Sequence, residues 1–320
     1  RGLGDVYKRQ DSQILTKFPG ACLSVEFIWL ESLPLLVGRL RKTSTNAQET
    51  NKMAKFTKTL IAAGLLAASA TPAFAADYSG DIHKNDYKWM QFNVMHTIDQ
   101  KPHGPDGYND TYFEMEFGGR SGIFDLYGYV DYFDIFDSRH SDKHKQENLF
   151  MKFAPRMSLD ALTGQDLSFG PVQEVYVASL FNIGGVQGLN DAFVGIGADV
   201  MVPWFGKVGM NLYKRHANET FSGEGEGWSG QQFSMNWFKP FYTFSNGSFI
   251  SYQGYLDYTW GMKDTSHSDG LATFHGIYWH SDRYAVGYGL KYFNEIYGID
   301  NSDAFKSTGF GHYFSVTYKF

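Results

Sequence analysis

The chain has 320 residues, 18% of them aromatic, with 28 Phe, 21 Tyr and 35 Gly, yet its mean hydropathy is −0.34. No uninterrupted apolar run approaches the roughly 20 residues of a membrane-spanning helix, and the single cysteine, Cys22, excludes an internal disulfide or a thiolate metal cluster. Residues 76–320 carry 18 Lys and Arg against 29 Asp and Glu, a net charge of −11 that argues against nucleic acid as a partner.

Residues 1–52 show no sustained period. The run DVYKRQ, Asp5 to Gln10, reads as a translated transposon end from a sequencing library, so this stretch is expected to be an assembly artefact. A different pattern starts at Met53. Lys55 and Lys58 precede the apolar run LIAAGLLAASA, followed by Thr71, Pro72 and the triplet Ala73-Phe74-Ala75. A basic start, a short apolar centre and a small-residue cleavage site make an export signal, expected to span 53–75 and to be removed.

From Tyr87 onward, period-2 alternation recurs, the signature of strands with two unlike faces. Met90, Phe92 and Val94 share one face of the first stretch. Phe113, Met115 and Phe117 alternate with Tyr112, Glu114 and Glu116. Phe124, Leu126, Gly128, Val130 and Tyr132 alternate with Asp125, Tyr127, Tyr129 and Asp131. Leu149, Met151 and Phe153 alternate with Lys152 and, further on, Arg156. Further stretches follow at Val175–Val177, Ala192–Val200, Val208–Leu212, Phe233–Trp237, Ile250–Tyr258, a weaker one at 271–279, Tyr284–Tyr292, and a last one ending at Phe320. That makes twelve strands.

The connections alternate too. Those at 99–109, 133–148, 182–190, 217–230, 259–270 and 294–307 are long and polar. Those at 118–122, 201–206 and 280–283 are short, with 158–170 and 239–247 as longer exceptions. Long and short loops on alternating ends, with an even strand count, predict an all-β fold: a twelve-stranded antiparallel transmembrane β-barrel of the bacterial outer membrane. Its outer face meets lipid and lipopolysaccharide. In the last strand Phe314, Val316, Tyr318 and Phe320 alternate with polar residues. This pattern resembles the assembly signal that the barrel-insertion machinery reads in outer-membrane proteins.

Two stretches, NDTYFEMEFGGRSGIFDLYGYVD (Asn109 to Asp131) and LFMKFAPRMSLDALTGQDLSFGPVQEVYVA (Leu149 to Ala178), resemble the nucleoside-specific channel family, Tsx-like, in its OmpK branch. The resemblance runs from about Asp86 to Phe320 and weakens in the loops. It implies a monomeric barrel with a narrow substrate-binding pore, passive nucleoside diffusion, and outer loops that phages use as a receptor.

By parity, Tyr112, Glu114, Glu116, Asp125, Tyr127, Tyr129, Asp131, Lys152 and Arg156 face inward, as do Glu174, Tyr176, Tyr213, Arg215, Tyr255 and Asp257. Tyrosine faces can stack on a base, and charged groups can hydrogen-bond a ribose. The same charges can instead compensate one another across the lumen. Glu114 and Glu116 need a positive partner, and Arg156 is the nearest by strand order. A second functional reading is a largely closed structural or adhesion barrel whose loops dock phage. An enzyme is not expected, because no nucleophile and base are seen to face each other across strands. No cofactor or metal is expected either. Asp300, Asn301 and Asp303 read as a solvated loop, and Gly225, Gly227 and Gly230 form a G-x-G-x-x-G without the strand-to-helix setting of a dinucleotide site.

Overall fold

Alternation becomes strand along most of the described chain, and neighbouring staves pair in chain order. The computed structural model describes residues 77–185, 189–219 and 224–320. The expected export signal and the stretch before it lie outside the described residues. The strands are β1 (Tyr87–Ile98), β2 (Asp110–Ser121), β3 (Phe124–Tyr132), β4 (Leu149–Phe153), β5 (Arg156–Ser158), β6 (Val172–Ile183), β7 (Asn190–Val202), β8 (Gly206–Glu219), β9 (Gly227–Thr243), β10 (Phe249–Trp260), β11 (Gly270–His280), β12 (Tyr284–Asn294) and β13 (Gly309–Lys319). A short helix, α1 (Leu159–Thr163), follows β5, its first turn capped by the Ser158 hydroxyl.

β4 and β5 are two halves of one stave, since both lie between β3 and β6. The break falls at Ala154-Pro155, where proline has no N–H for the ladder; the Pro155 carbonyl still accepts from Ser179 N at 3.0 Å. Counting that pair once gives the twelve staves expected. All pairs are antiparallel, and β1 joins β13 from Gln91↔Lys319 to Ile98↔His312, which closes the barrel. No described helix is long and apolar enough to cross a membrane.

Some boundaries differ from the sequence reading. β9 runs past Trp237 to Thr243, because its ladder with β10 continues through Lys239↔Tyr252 and Tyr242↔Ile250. The register slips beside Pro240, a bulge that tolerates the missing N–H. The expected connection 239–247 therefore shrinks to a turn at 244–248. The 217–230 loop likewise contracts, as β8 reaches Glu219 and β9 starts at Gly227.

Parity sorts the two faces. Val177, Ile196, Leu212 and Phe233 lie side by side on β6, β7, β8 and β9, pointing outward. Phe314, Val316, Tyr318 and Phe320 also point outward, with Phe320 edge-on to Phe92 at 4.9 Å. Inside, the wall is partly filled by apolar packing: Met95, Tyr112 and Tyr313 form one cluster, and Ala178, Leu180, Phe193 and Tyr213 another. Gly289 makes room for this filling, since a Cβ there would stand 2.1 Å from the Phe274 ring. At the long-loop end, Ile296 of the β12–β13 connection packs into the lumen against Ala272 and Phe293.

Ile196 sits near mid-strand and half exposed. Ile196→Arg is expected to lower the unfolding free energy in lipid vesicles by about 2–4 kcal/mol, the cost of a charge at mid-bilayer on a barrel's lipid face. Ile196→Leu should leave it unchanged. The urea midpoint of the folded band measures both, and an unshifted midpoint for Ile196→Arg would mean that this face does not meet hydrocarbon.

Candidate functional site in the lumen

The strand register places every lumen candidate on the inward face. Asn93 opposes Glu114 and Gln91 opposes Glu116, while Asp131, Tyr129, Tyr127 and Asp125 of β3 oppose Glu114, Glu116, Gly118 and Arg120 of β2. Lys152 and Arg156 oppose Tyr129 and Asp125. Glu174, Tyr213, Arg215 and Asp257 follow the same parity on β6, β8 and β10. These residues divide into groups with different surroundings.

At the short-turn end lies a closed ionic network. Arg156 donates from Nε and Nη2 to Asp125 Oδ1 at 3.0 and 2.9 Å, and from Nη1 to Asp199 Oδ1 at 3.0 Å. Lys207 reaches the other oxygen of Asp199 at 2.9 Å. Arg120 donates to Glu174 at 2.9 Å and to the Tyr176 hydroxyl at 2.6 Å. The Arg156 guanidinium also lies 4.0 Å from the centre of the Tyr176 ring. Three cations meet three carboxylates here. Tyr78, from the segment before β1, hydrogen-bonds Glu174 and joins the network. Arg156 is therefore not the partner of Glu114 and Glu116, because Asp125 and Asp199 take its whole fork.

Glu114 and Glu116 are held instead by neutral donors. Asn93 donates to Glu114 at 2.6 Å, Gln91 to Glu116 at 2.5 Å and the Tyr127 hydroxyl to Glu116 at 2.8 Å. Asp131 stands beside Glu114 across the β2–β3 pair. Above this acidic patch, Lys152 of β4 meets Asp257 of β10 at 3.4 Å, an ion pair that crosses the lumen. Ser234 holds the other Asp257 oxygen at 2.6 Å.

Sequence reasoning did not single out Lys291. Its ammonium sits among the rings of Phe293, Tyr255 and Tyr313 at 4.8, 5.5 and 5.6 Å, with no ion pair or hydrogen bond among the described residues. The signal available was its inward parity in β12, where the other inward residues are Ala285, Gly287, Gly289 and Phe293. Asp131 Oδ1, Asn182 Oδ1 and the Tyr313 hydroxyl are buried without a hydrogen-bond partner. Such groups are rare unless water or a solute completes them. Lys152, Asp257, Lys291, Asn182, Tyr129 and Tyr255 line a cavity of ≈ 740 Å³, part of it open to solvent, in the long-loop half of the lumen.

Rings run along one wall. Trp89, Tyr127, Tyr129 and Phe150 follow one another with centroids 6.3, 6.2 and 6.1 Å apart. Tyr112 and Tyr213 do not share this exposure, since both are buried in the apolar clusters. Arg215 binds Asp191 at 2.9 Å and Glu224 at 2.7 Å, tying the rim at the long-loop end.

The remaining motifs resolve simply. Asn301 caps Ser307 N and Thr308 N, and Asp303 pairs with Lys306 at 2.9 Å, so the last loop uses these groups internally. A Ser–His pair not expected from sequence does exist: Ser251 Oγ and His280 Nε2 are 2.9 Å apart across β10 and β11. Ser251 is 0% exposed and, among the described residues, no carboxylate bonds the ring, so the pair has neither the substrate access nor the orienting third group of a nucleophilic site there.

The family model described as "Nucleoside-specific channel-forming protein, Tsx" matches residues 84–320. This chain belongs to that family. The outer membrane protein OmpK of Vibrio parahaemolyticus is 62% identical over 266 residues, covering 82% of this chain and 99% of the relative. The nucleoside-specific channel-forming protein Tsx of Klebsiella pneumoniae is 30% identical over 301 residues, with 82% and 99% coverage. A NanC porin structure aligns with a TM-score of 0.43 at 7% identity, over 72% of this chain and 100% of that one; the fold assignment rests on the strand pairing, not on this likeness. The family member described here is a channel-forming barrel of the Gram-negative outer membrane and not an enzyme. In such barrels the short turns are periplasmic and the long loops extracellular.

Removing Arg156 would take the shared cation from two buried carboxylates, leaving Asp199 only Lys207 and Asp125 only Arg120 at 3.5 Å. Arg156→Met is expected to destabilise the folded barrel by about 3–5 kcal/mol. Lys207 is 56% exposed, so Lys207→Met should cost only about 0–1 kcal/mol. Urea unfolding in detergent compares them, and equal midpoints would show that the network does not hold the barrel.

Proposed function

We propose that the barrel passes nucleosides by passive, selective diffusion along the aromatic wall. The observation that carries this reading is the line of rings from Trp89 to Phe150 facing charged groups with free bonding capacity. A nucleoside has the matching shape, one flat face and one hydroxylated edge. Its base would stack on Tyr127 and Tyr129, while its ribose exchanges between Glu114, Glu116, Asp131, Lys152 and Lys291. The named relatives, a nucleoside-specific channel among them, support the same reading. Arg156, Arg120 and Glu174 are left as wall, because Asp125 and Asp199 take Arg156 while Arg120 and Glu174 bind each other. The contacts are weak and repeated, which permits flux where one tight site would block it.

The test is single-channel recording in planar bilayers with adenosine or thymidine added. Nucleosides are expected to interrupt the ion current. Tyr127→Ala should weaken that block roughly fivefold, the loss of a stacking contact of about 1 kcal/mol, with conductance unchanged or higher. Lys291→Met should also weaken it. A pore that conducts ions and ignores nucleosides would reject the proposal in favour of a structural or phage-docking barrel.

A further inference from the structure

The extracellular loop between β3 and β4 gathers three side chains that the lumen does not use. Asp134 and Asp137 follow the end of β3, and His144 lies just before β4. One ligand atom from each lies within 4.8 Å of the others. His144 Nδ1 stands 2.9 Å from Asp137 Oδ1 and 3.5 Å from Asp134 Oδ2. Despite these distances, Nδ1 is buried and makes no hydrogen bond. The Asp134 side chain is 5% exposed. Its Oδ1 accepts from Ser138 N at 2.5 Å, which leaves Oδ2 turned towards the imidazole.

A nitrogen close to two carboxylate oxygens, yet aligned with neither, does not fit a donor facing its acceptor. It fits ligands around a common centre. A zinc-class ion binds imidazole nitrogen at 2.0–2.1 Å and carboxylate oxygen at 2.0–2.2 Å, so neighbouring ligands stand roughly 2.9–3.5 Å apart. Both separations measured from His144 fall in that window. One imidazole with two carboxylates suits a first-row divalent cation better than calcium or magnesium, which take oxygen throughout. Nothing in the spacing, two aspartates three apart and a histidine seven further on, matches a known metal motif, so the sequence gives no warning of it.

We propose that Asp134, Asp137 and His144 bind one zinc-class divalent cation from the external medium, with water completing its shell. The site clips the two ends of the β3–β4 loop together. It is independent of the nucleoside reading. The experiment is calorimetric titration of the folded, EDTA-stripped barrel in detergent with zinc chloride. One equivalent is expected to bind ahead of any weaker background from the other histidines. His144→Ala should weaken that site at least tenfold, and so should Asp137→Asn, whose side chain is 78% exposed and whose change leaves the fold intact. His140→Ala, in the same loop, should leave it unchanged, and a tenfold excess of calcium should not displace the zinc. A parent protein without the tight equivalent would overturn the proposal. So would a His144→Ala or Asp137→Asn variant that folds and binds like the parent.

Discussion

An amide left unpaired in hydrocarbon costs several kcal/mol, and no water is there to relieve it. A sheet in lipid must therefore have no edge, and the pairing of β1 with β13 is the contact that removes it. Once that ladder closes, a side chain has only two places to go. The register fixes which, since a slip of one residue would send Glu114 and Glu116 into lipid and Phe113 and Met115 into the lumen. The inventory of the pore thus follows from a backbone constraint before any side chain interacts with another.

Within the lumen the charges meet two fates. Near the periplasmic turns, Arg120, Arg156 and Lys207 are matched by Asp125, Glu174 and Asp199, and Tyr176 lies between the arginines. A desolvated charge there is tolerable because its partners saturate it. Halfway up, saturation stops. Among the described residues Glu114 and Glu116 have only amide and phenol donors, while Lys291 has rings and no carboxylate within an ion-pair distance. The first arrangement makes a rigid collar. The second leaves Glu114, Glu116 and Lys291 without an opposite charge bound to them among the described residues. A residue list drawn from charge alone mixes these two roles, and only the partner of each group separates them.

That separation marks how far the sequence could be read. Parity is local, a matter of neighbours two apart, so the twelve staves, the loop alternation and the inward set were legible. Partner choice is not local. Arg156 and Asp199 come from strands that do not pair directly, and Lys152 reaches Asp257 across the lumen. Which residues share a level depends on strand stagger, which alternation does not encode. Hence Arg156 was assigned to Glu114 and Glu116 by strand order, although its own register neighbour Asp125 takes it first. The end of β9 lies further on than alternation places it, because a bulge beside Pro240 lets the ladder continue. Lys291 was visible as an inward lysine, but its ring surroundings come from three different strands.

The spacing of the aromatic wall links geometry to flux. Inward neighbours on one strand stand two rises apart, roughly 6.6–6.8 Å, and the Tyr127 and Tyr129 rings are 6.2 Å apart. If nucleosides pass as proposed, a purine, about as wide as one such step, reaches the next ring before leaving the last. Each transfer then exchanges one stacking contact for another of similar strength, and the barrier between sites stays low. Continuity matters more here than the strength of any single contact. A tighter pocket would raise affinity and slow release by the same factor, whereas a ladder of equal steps lets the solute leave as readily as it enters. The clusters around Tyr112 and Tyr213 have a different part, since they take those two rings out of the lumen and pack them against the wall.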